Sequence, residues 1–68
     1  MEKNWVCVYT SFKSQNAEII KALLTHNEIN SVIINKQVSL YMFGEFEVFV
    51  NRDDVMKAKL VIENNASS

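Results

Sequence analysis

The first half of this chain carries two short continuous apolar runs with a helical period of apolar positions between them. Trp5-Val6-Cys7-Val8-Tyr9 is an aromatic and β-branched run that predicts a strand. Thr10 to Ser14 reads as a turn, with Ser14 or Asn16 placed to cap a helix and Glu18 near its start, where the dipole favours an acid. Ala17, Ile20, Leu23 and Leu24 recur on one helical face, and Ile19 is expected to widen it. His26-Asn27 should end the helix, since Asn tolerates the left-handed conformation. Ser31-Val32-Ile33-Ile34, led in by Ile29, predicts a second strand, and Phe46-Glu47-Val48-Phe49-Val50 a third. In the third, Phe46, Val48 and Val50 point one way and Glu47 and Phe49 the other. Asn51 or Asp53 caps a second helix that runs to about Glu63, and residues 64–68 read as a frayed tail.

One stretch, Asn35 to Glu45, fits neither period and reads as irregular. It holds the single glycine, Gly44, and four large apolar residues, Val38, Leu40, Met42 and Phe43. If the chain has a recognition surface, this loop is the first place to expect it.

The order β-α-β-β-α predicts one α+β domain over residues 1–68, with its core at about 5–63. A right-handed crossover brings the first two strands into one sheet, parallel to each other. The third strand is antiparallel and fits most simply between them, giving order 1-3-2 with both helices on one face. This is a ferredoxin-like fold lacking its last strand. If Val6, Val8, Val32 and Val48 face the helices, the opposite face carries Trp5, Cys7, Tyr9 and Phe49, with Ile33 beside them. In the second helix, at about 100° per residue, Val55, Ala58, Val61 and Ile62 form the core stripe. Met56 and Leu60 fall on another side, as a border of the core or a contact patch.

Composition narrows the function. A chain of 68 residues with 49% hydrophobic content has more apolar surface than so small a core absorbs, which points to self-association or a partner. Seven basic and eight acidic residues leave a formal charge of -1, and the only arginine is Arg52. Aromatic residues on an open sheet resemble a base-stacking platform, but without a basic surround they give no reason to expect nucleic acid. The apolar runs are too short to span a bilayer, and Met1 to Trp5 shows no secretory signal, so a cytoplasmic protein without a membrane role is expected.

Candidate chemistry is sparse. One glycine cannot build a phosphate-binding loop. His26 is the sole histidine, at a helix end where it suits a capping role. Cys7 is the sole cysteine and sits between valines, a packing position. Asp53-Asp54 occupies a helix start, where the dipole accounts for both acids, and no third carboxylate lies nearby in sequence. No catalytic, metal or cofactor residue is expected, and the chain is read as a non-enzyme.

Trp5-Val6-Cys7-Val8-Tyr9 resembles the start of a small bacterial family described as "Putative prokaryotic signal transducing protein". Ala17 to Lys21 with Leu24, and Ile29 before the second strand, match its pattern as well. The segment Phe43-Gly44-Glu45-Phe46-Glu47-Val48-Phe49-Val50-Asn51-Arg52-Asp53-Asp54, with Ala58 beyond it, is the strongest match. The resemblance spans Trp5 to Ile62. It implies a small α+β domain related in fold to PII-like nitrogen-regulatory proteins, with no established ligand or catalytic residue. The chain departs from the pattern at Glu28, where a Gly usually precedes Ile, so Asn27 is expected to supply the helix stop. It departs again at Leu60, where the family often has a polar residue.

The expected function is a non-enzymatic protein-interaction or regulatory domain, acting as a homodimer and open to a protein partner. Its expected surface is Trp5, Cys7, Tyr9, Phe49, Leu40, Met42, Phe43, Met56 and Leu60. The alternative is a small-ligand sensor using the 35–45 loop as a lid, with Lys36, Tyr41 and Glu45 as its polar contacts.

Overall fold

A computed structural model describes residues 4–38 and 43–66, the side chains at 37, 38, 43 and 66 excepted. The elements run β1 (Trp5–Ser11), α1 (Ser14–His26), β2 (Ser31–Val38), β3 (Phe43–Asn51), a 3-10 turn (Arg52–Asp54) and α2 (Val55–Ala66). The sheet has order β1-β3-β2, with β3 antiparallel to both neighbours. The fold is α+β, ferredoxin-like without a fourth strand, and β1 and β2 are both open edges. The core is Ala17, Ile20, Leu24, Ile29, Val48, Val50 and Ala58, with Val55, Val61 and Ile62 of α2 packed against it. The Cα trace measures 36 × 32 × 15 Å, a slab one sheet and one helix layer thick.

Several local expectations change. The stretch read as irregular is largely ladder: β2 and β3 pair continuously from Ser31↔Val50 to Val38↔Phe43. Cross-strand pairing outweighs the weak strand propensity of Asn35-Lys36-Gln37, and Lys36, opposite Glu45 in the register, places its ammonium 3.2 Å from Glu47. Gly44 belongs to β3, where an added Cβ would stand 3.1 Å from Asn35 Oδ1. Asn64 to Ala66, read as tail, form the last turn of α2, and Asn65 Nδ2 donates to Val61 O at 2.8 Å.

The two helix starts use different devices. Lys13 stands at the N-cap of α1 and makes no side-chain cap bond, so neither Ser14 nor Asn16 caps it. Ser11 Oγ instead accepts from Lys13 N and from Asn16 Nδ2, closing the turn. No acid lies in the first turn of α1, so Glu18 sits too far along to serve the dipole. At the second start, Asn51 Oδ1 accepts from Asp53 N at 3.0 Å, and Asp53 and Asp54 fall in the first turn. Arg52 N donates to Asn4 O at 2.6 Å, tying this turn to the residue before β1.

The end of α1 corrects the expected helix stop. Asn27 has φ -97 and is not left-handed, whereas Glu28 has φ 63. Ile29 N reaches Leu24 O at 2.9 Å and Glu28 N reaches Thr25 O at 3.0 Å, the paired bonds of a Schellman motif. Its hydrophobic contact is built from Leu24 and Ile29, at 0% and 1% exposure. Asn27 helps by its side chain, donating Nδ2 to Leu23 O at 2.9 Å.

Candidate functional site

Among the described residues, no helix or strand covers the face of the sheet away from α1 and α2. Directly paired residues share a face, so the register assigns its occupants. Cys7↔Phe49, Val32↔Phe49, Ile34↔Glu47, Thr10↔Glu47, Lys36↔Glu45 and Trp5↔Asn51 lie on this side. Val6↔Val50, Ser31↔Val50, Ile33↔Val48 and Asn35↔Phe46 lie toward the helices. Trp5, Cys7, Val32, Ile34 and Phe49 are therefore an apolar patch of half-buried side chains on a bare sheet.

Two residues expected on this patch, Tyr9 and Ile33, belong elsewhere. Register shifts between Cys7 and Tyr9, so Val8 is the extra residue of a β-bulge. A bulge adds one residue and reverses the alternation beyond it. Tyr9 thus lies opposite Val48 and packs against the helix-side core, not beside Trp5 and Cys7. In β2 the expected parity is also reversed: Ile33 packs on the core and Val32 faces outward. Both residues are apolar, so alternation gave no basis for choosing between them.

Charge gathers at one end of the patch. Lys36 Nζ lies 3.2 Å from Glu47 Oε1, with the lysine side chain 66% exposed and the glutamate 13%. That oxygen is buried without an aligned hydrogen bond, so the contact is Coulombic attraction alone. Burial pushes the Cys7 thiol above its ordinary value, hydrogen bonding to the Tyr9 backbone offsets part of the rise, and the Glu47 and Glu45 carboxylates add to it. Such a thiol is a weak nucleophile at neutral pH.

On the helix side, a cleft of about 240 Å³ lies between α1, the end of α2 and the bulged end of β1. Tyr9, Asn16, Ile19, Ile20, Leu23 and Asn65 line it. Ile19 is 60% exposed, so it borders this cleft and does not widen the core face of α1. The sequence signals only the apolar part of the cleft. Asn65 carried none, since its segment reads as tail, and Tyr9 depends on the bulge.

Lys36 and Glu45 occupy paired strand positions. Leu40, Tyr41 and Met42 lie outside the described residues, as does the side chain of Phe43. Met56 and Leu60 stand clear of the core at 81% and 59% exposure, and Phe12, in the turn before α1, is exposed too. Among the described residues, no three His, Cys, Asp or Glu side chains gather as a metal would require. No helix among the described residues is long and apolar enough to cross a membrane.

No curated protein and no solved structure matches the chain. A family model does, over residues 5–66, from the first residue of β1 to the last of α2. The chain belongs to the family described as "Putative prokaryotic signal transducing protein".

Proposed function

We propose that this protein is a non-enzymatic, cytoplasmic interaction domain of a signalling system and that it acts as a homodimer, two copies joined through their bare sheet faces. The observation that supports this reading is the patch of Trp5, Cys7, Val32, Ile34 and Phe49 on a sheet that, among the described residues, has helices on its other side only. Contiguous apolar surface of this kind marks protein contact. A second copy suits it on three counts. The slab's broad face, 36 × 32 Å, exceeds the roughly 800 Å² per partner of a standard interface. A net charge of -1 gives like copies little reason to repel. Sheet-on-sheet packing is also a stable way to bury two such faces. The family description fits a role in signalling.

The test is sedimentation at tens of micromolar. The parent chain should run at twice the monomer mass. Val32→Lys, on the outward face of edge strand β2, should return it to monomer with its circular dichroism intact. Leu60→Glu, on exposed α2, should keep the dimer. A parent chain that is monomeric, or a dimer lost only in Leu60→Glu, overturns the sheet-face reading.

A further inference from the structure

We infer that the cleft between α1, the end of α2 and the bulge of β1 is a binding site for a small, uncharged, mostly apolar molecule with one hydrogen-bonding head group, of the size and kind of phenol. The site lies on the opposite side of the sheet from the patch above and stands or falls apart from it.

Volume sets the size of the guest. A cavity of about 150 Å³ lined by aliphatic side chains accepts benzene, and this cleft offers about 240 Å³. It is smaller than the roughly 300–1,000 Å³ of sites that take drug-sized ligands. One substituted ring fits.

The lining sets the chemistry. Ile19, Ile20 and Leu23 supply aliphatic wall, and the residues of the lining with polar side-chain groups are Tyr9, Asn16 and Asn65. Among the described residues, no Lys, Arg, His, Asp or Glu lines the cleft. A phosphate, carboxylate or ammonium entering it would lose hydration with nothing to pair it. Nucleotides and zwitterionic amino acids are therefore unsuitable. The amides are held in place: Asn16 Nδ2 donates to Ser11 Oγ at 3.2 Å, and Asn65 Nδ2 to Val61 O at 2.8 Å. With its nitrogen engaged, Asn16 offers Oδ1 as an acceptor for a guest hydroxyl.

A second observation concerns how Tyr9 gets there. Regular alternation from Trp5 and Cys7 would send Tyr9 to the bare face. The bulge at Val8 turns it into the cleft instead. Bulges commonly re-aim a side chain at a functional site. Among the described lining residues, the re-aimed Tyr9 is the one whose side chain carries a hydroxyl. Ile19, a large apolar side chain 60% exposed at the same cleft, is the complementary half of an open apolar mouth.

The test uses the full chain, ¹⁵N-labelled, titrated with phenol and separately with benzoate. Phenol should give saturable shifts at Tyr9, Asn16, Leu23 and the Asn65 side-chain amide, and benzoate at least tenfold weaker ones. Ile19→Trp, at a position exposed enough to keep the fold, should plug the mouth and weaken phenol at least tenfold. Tyr9→Phe keeps the ring and should weaken it several-fold. The inference is overturned if phenol shifts do not saturate, if they fall on Trp5, Val32 and Phe49, if benzoate binds as well as phenol, or if Ile19→Trp leaves binding unchanged.

Discussion

Glu28 holds a backbone conformation that suits glycine, and replacing it should stabilise the protein. Its φ of 63 places it in the left-handed region, at the residue just past the C-cap of a Schellman motif. A Cβ there crowds the following carbonyl at a cost of about 1–2 kcal/mol. The Glu28 side chain is exposed and has no hydrogen-bond or ion-pair partner among the described residues, so nothing offsets that strain. Glu28→Gly removes it, but glycine also enlarges the unfolded ensemble, which costs about 0.4–1 kcal/mol. Relief of strain outweighs that entropy cost, so a net gain of about 0.5–1 kcal/mol is expected. For a domain this small, that raises the thermal midpoint by about 2–8 °C. Urea denaturation at one fixed protein concentration measures it, because self-association makes the midpoint concentration-dependent. Glu28→Asn should gain less. Glu28→Ala, which keeps Cβ, should change little, and Glu28→Val should lose stability. The reasoning fails if Glu28→Gly destabilises while Glu28→Ala does too, for then the glutamate side chain, not the backbone, carries the position.

Leu24 is fully buried and also anchors the Schellman contact, so Leu24→Ala should cost about 2–5 kcal/mol. A loss under about 1 kcal/mol in denaturant titration would mean that the site collapses around the smaller residue. Leu60 is 59% exposed on α2, and Leu60→Glu should shift stability by less than about 0.5 kcal/mol. Unfolding of that variant in a thermal melt would place Leu60 in the core.

Architecture was readable where the sequence pattern is redundant. Ala17, Ile20 and Leu24 repeat one helical period, and Val55, Ala58, Val61 and Ile62 another, so an error at one position leaves each face unchanged. The same holds for β3, where Glu47 between Phe46 and Val48 fixes the parity. In β2 no polar residue interrupts Val32-Ile33-Ile34, and the parity came out reversed. Asn35 to Val38 looked irregular because their strand state rests on partners in β3, which local propensity does not report. Glu28 is a similar case. The left-handed turn is imposed by Leu24 and Ile29 seating together, so the position keeps its conformation although the residue there disfavours it.

The bulge at Val8 connects the two surfaces. Before it, β1 sends Trp5 and Cys7 to the bare sheet face, opposite Asn51 and Phe49. After it, Tyr9 lies with Val48 on the helix side and lines the cleft. One unpaired residue thus divides the aromatic side chains of one short strand between two environments, apolar sheet patch and polar-rimmed cleft. Deleting Val8 would make Cys7 and Tyr9 consecutive and leave Tyr9 opposite Val48 on the helix side; the bulge is what lets Cys7 and Tyr9, two residues apart, face opposite ways. Substitutions at Tyr9 and at Val32 therefore act on opposite faces. This separation is why the ligand titration and the mass measurement can succeed or fail independently, although both surfaces depend on the same seven-residue strand.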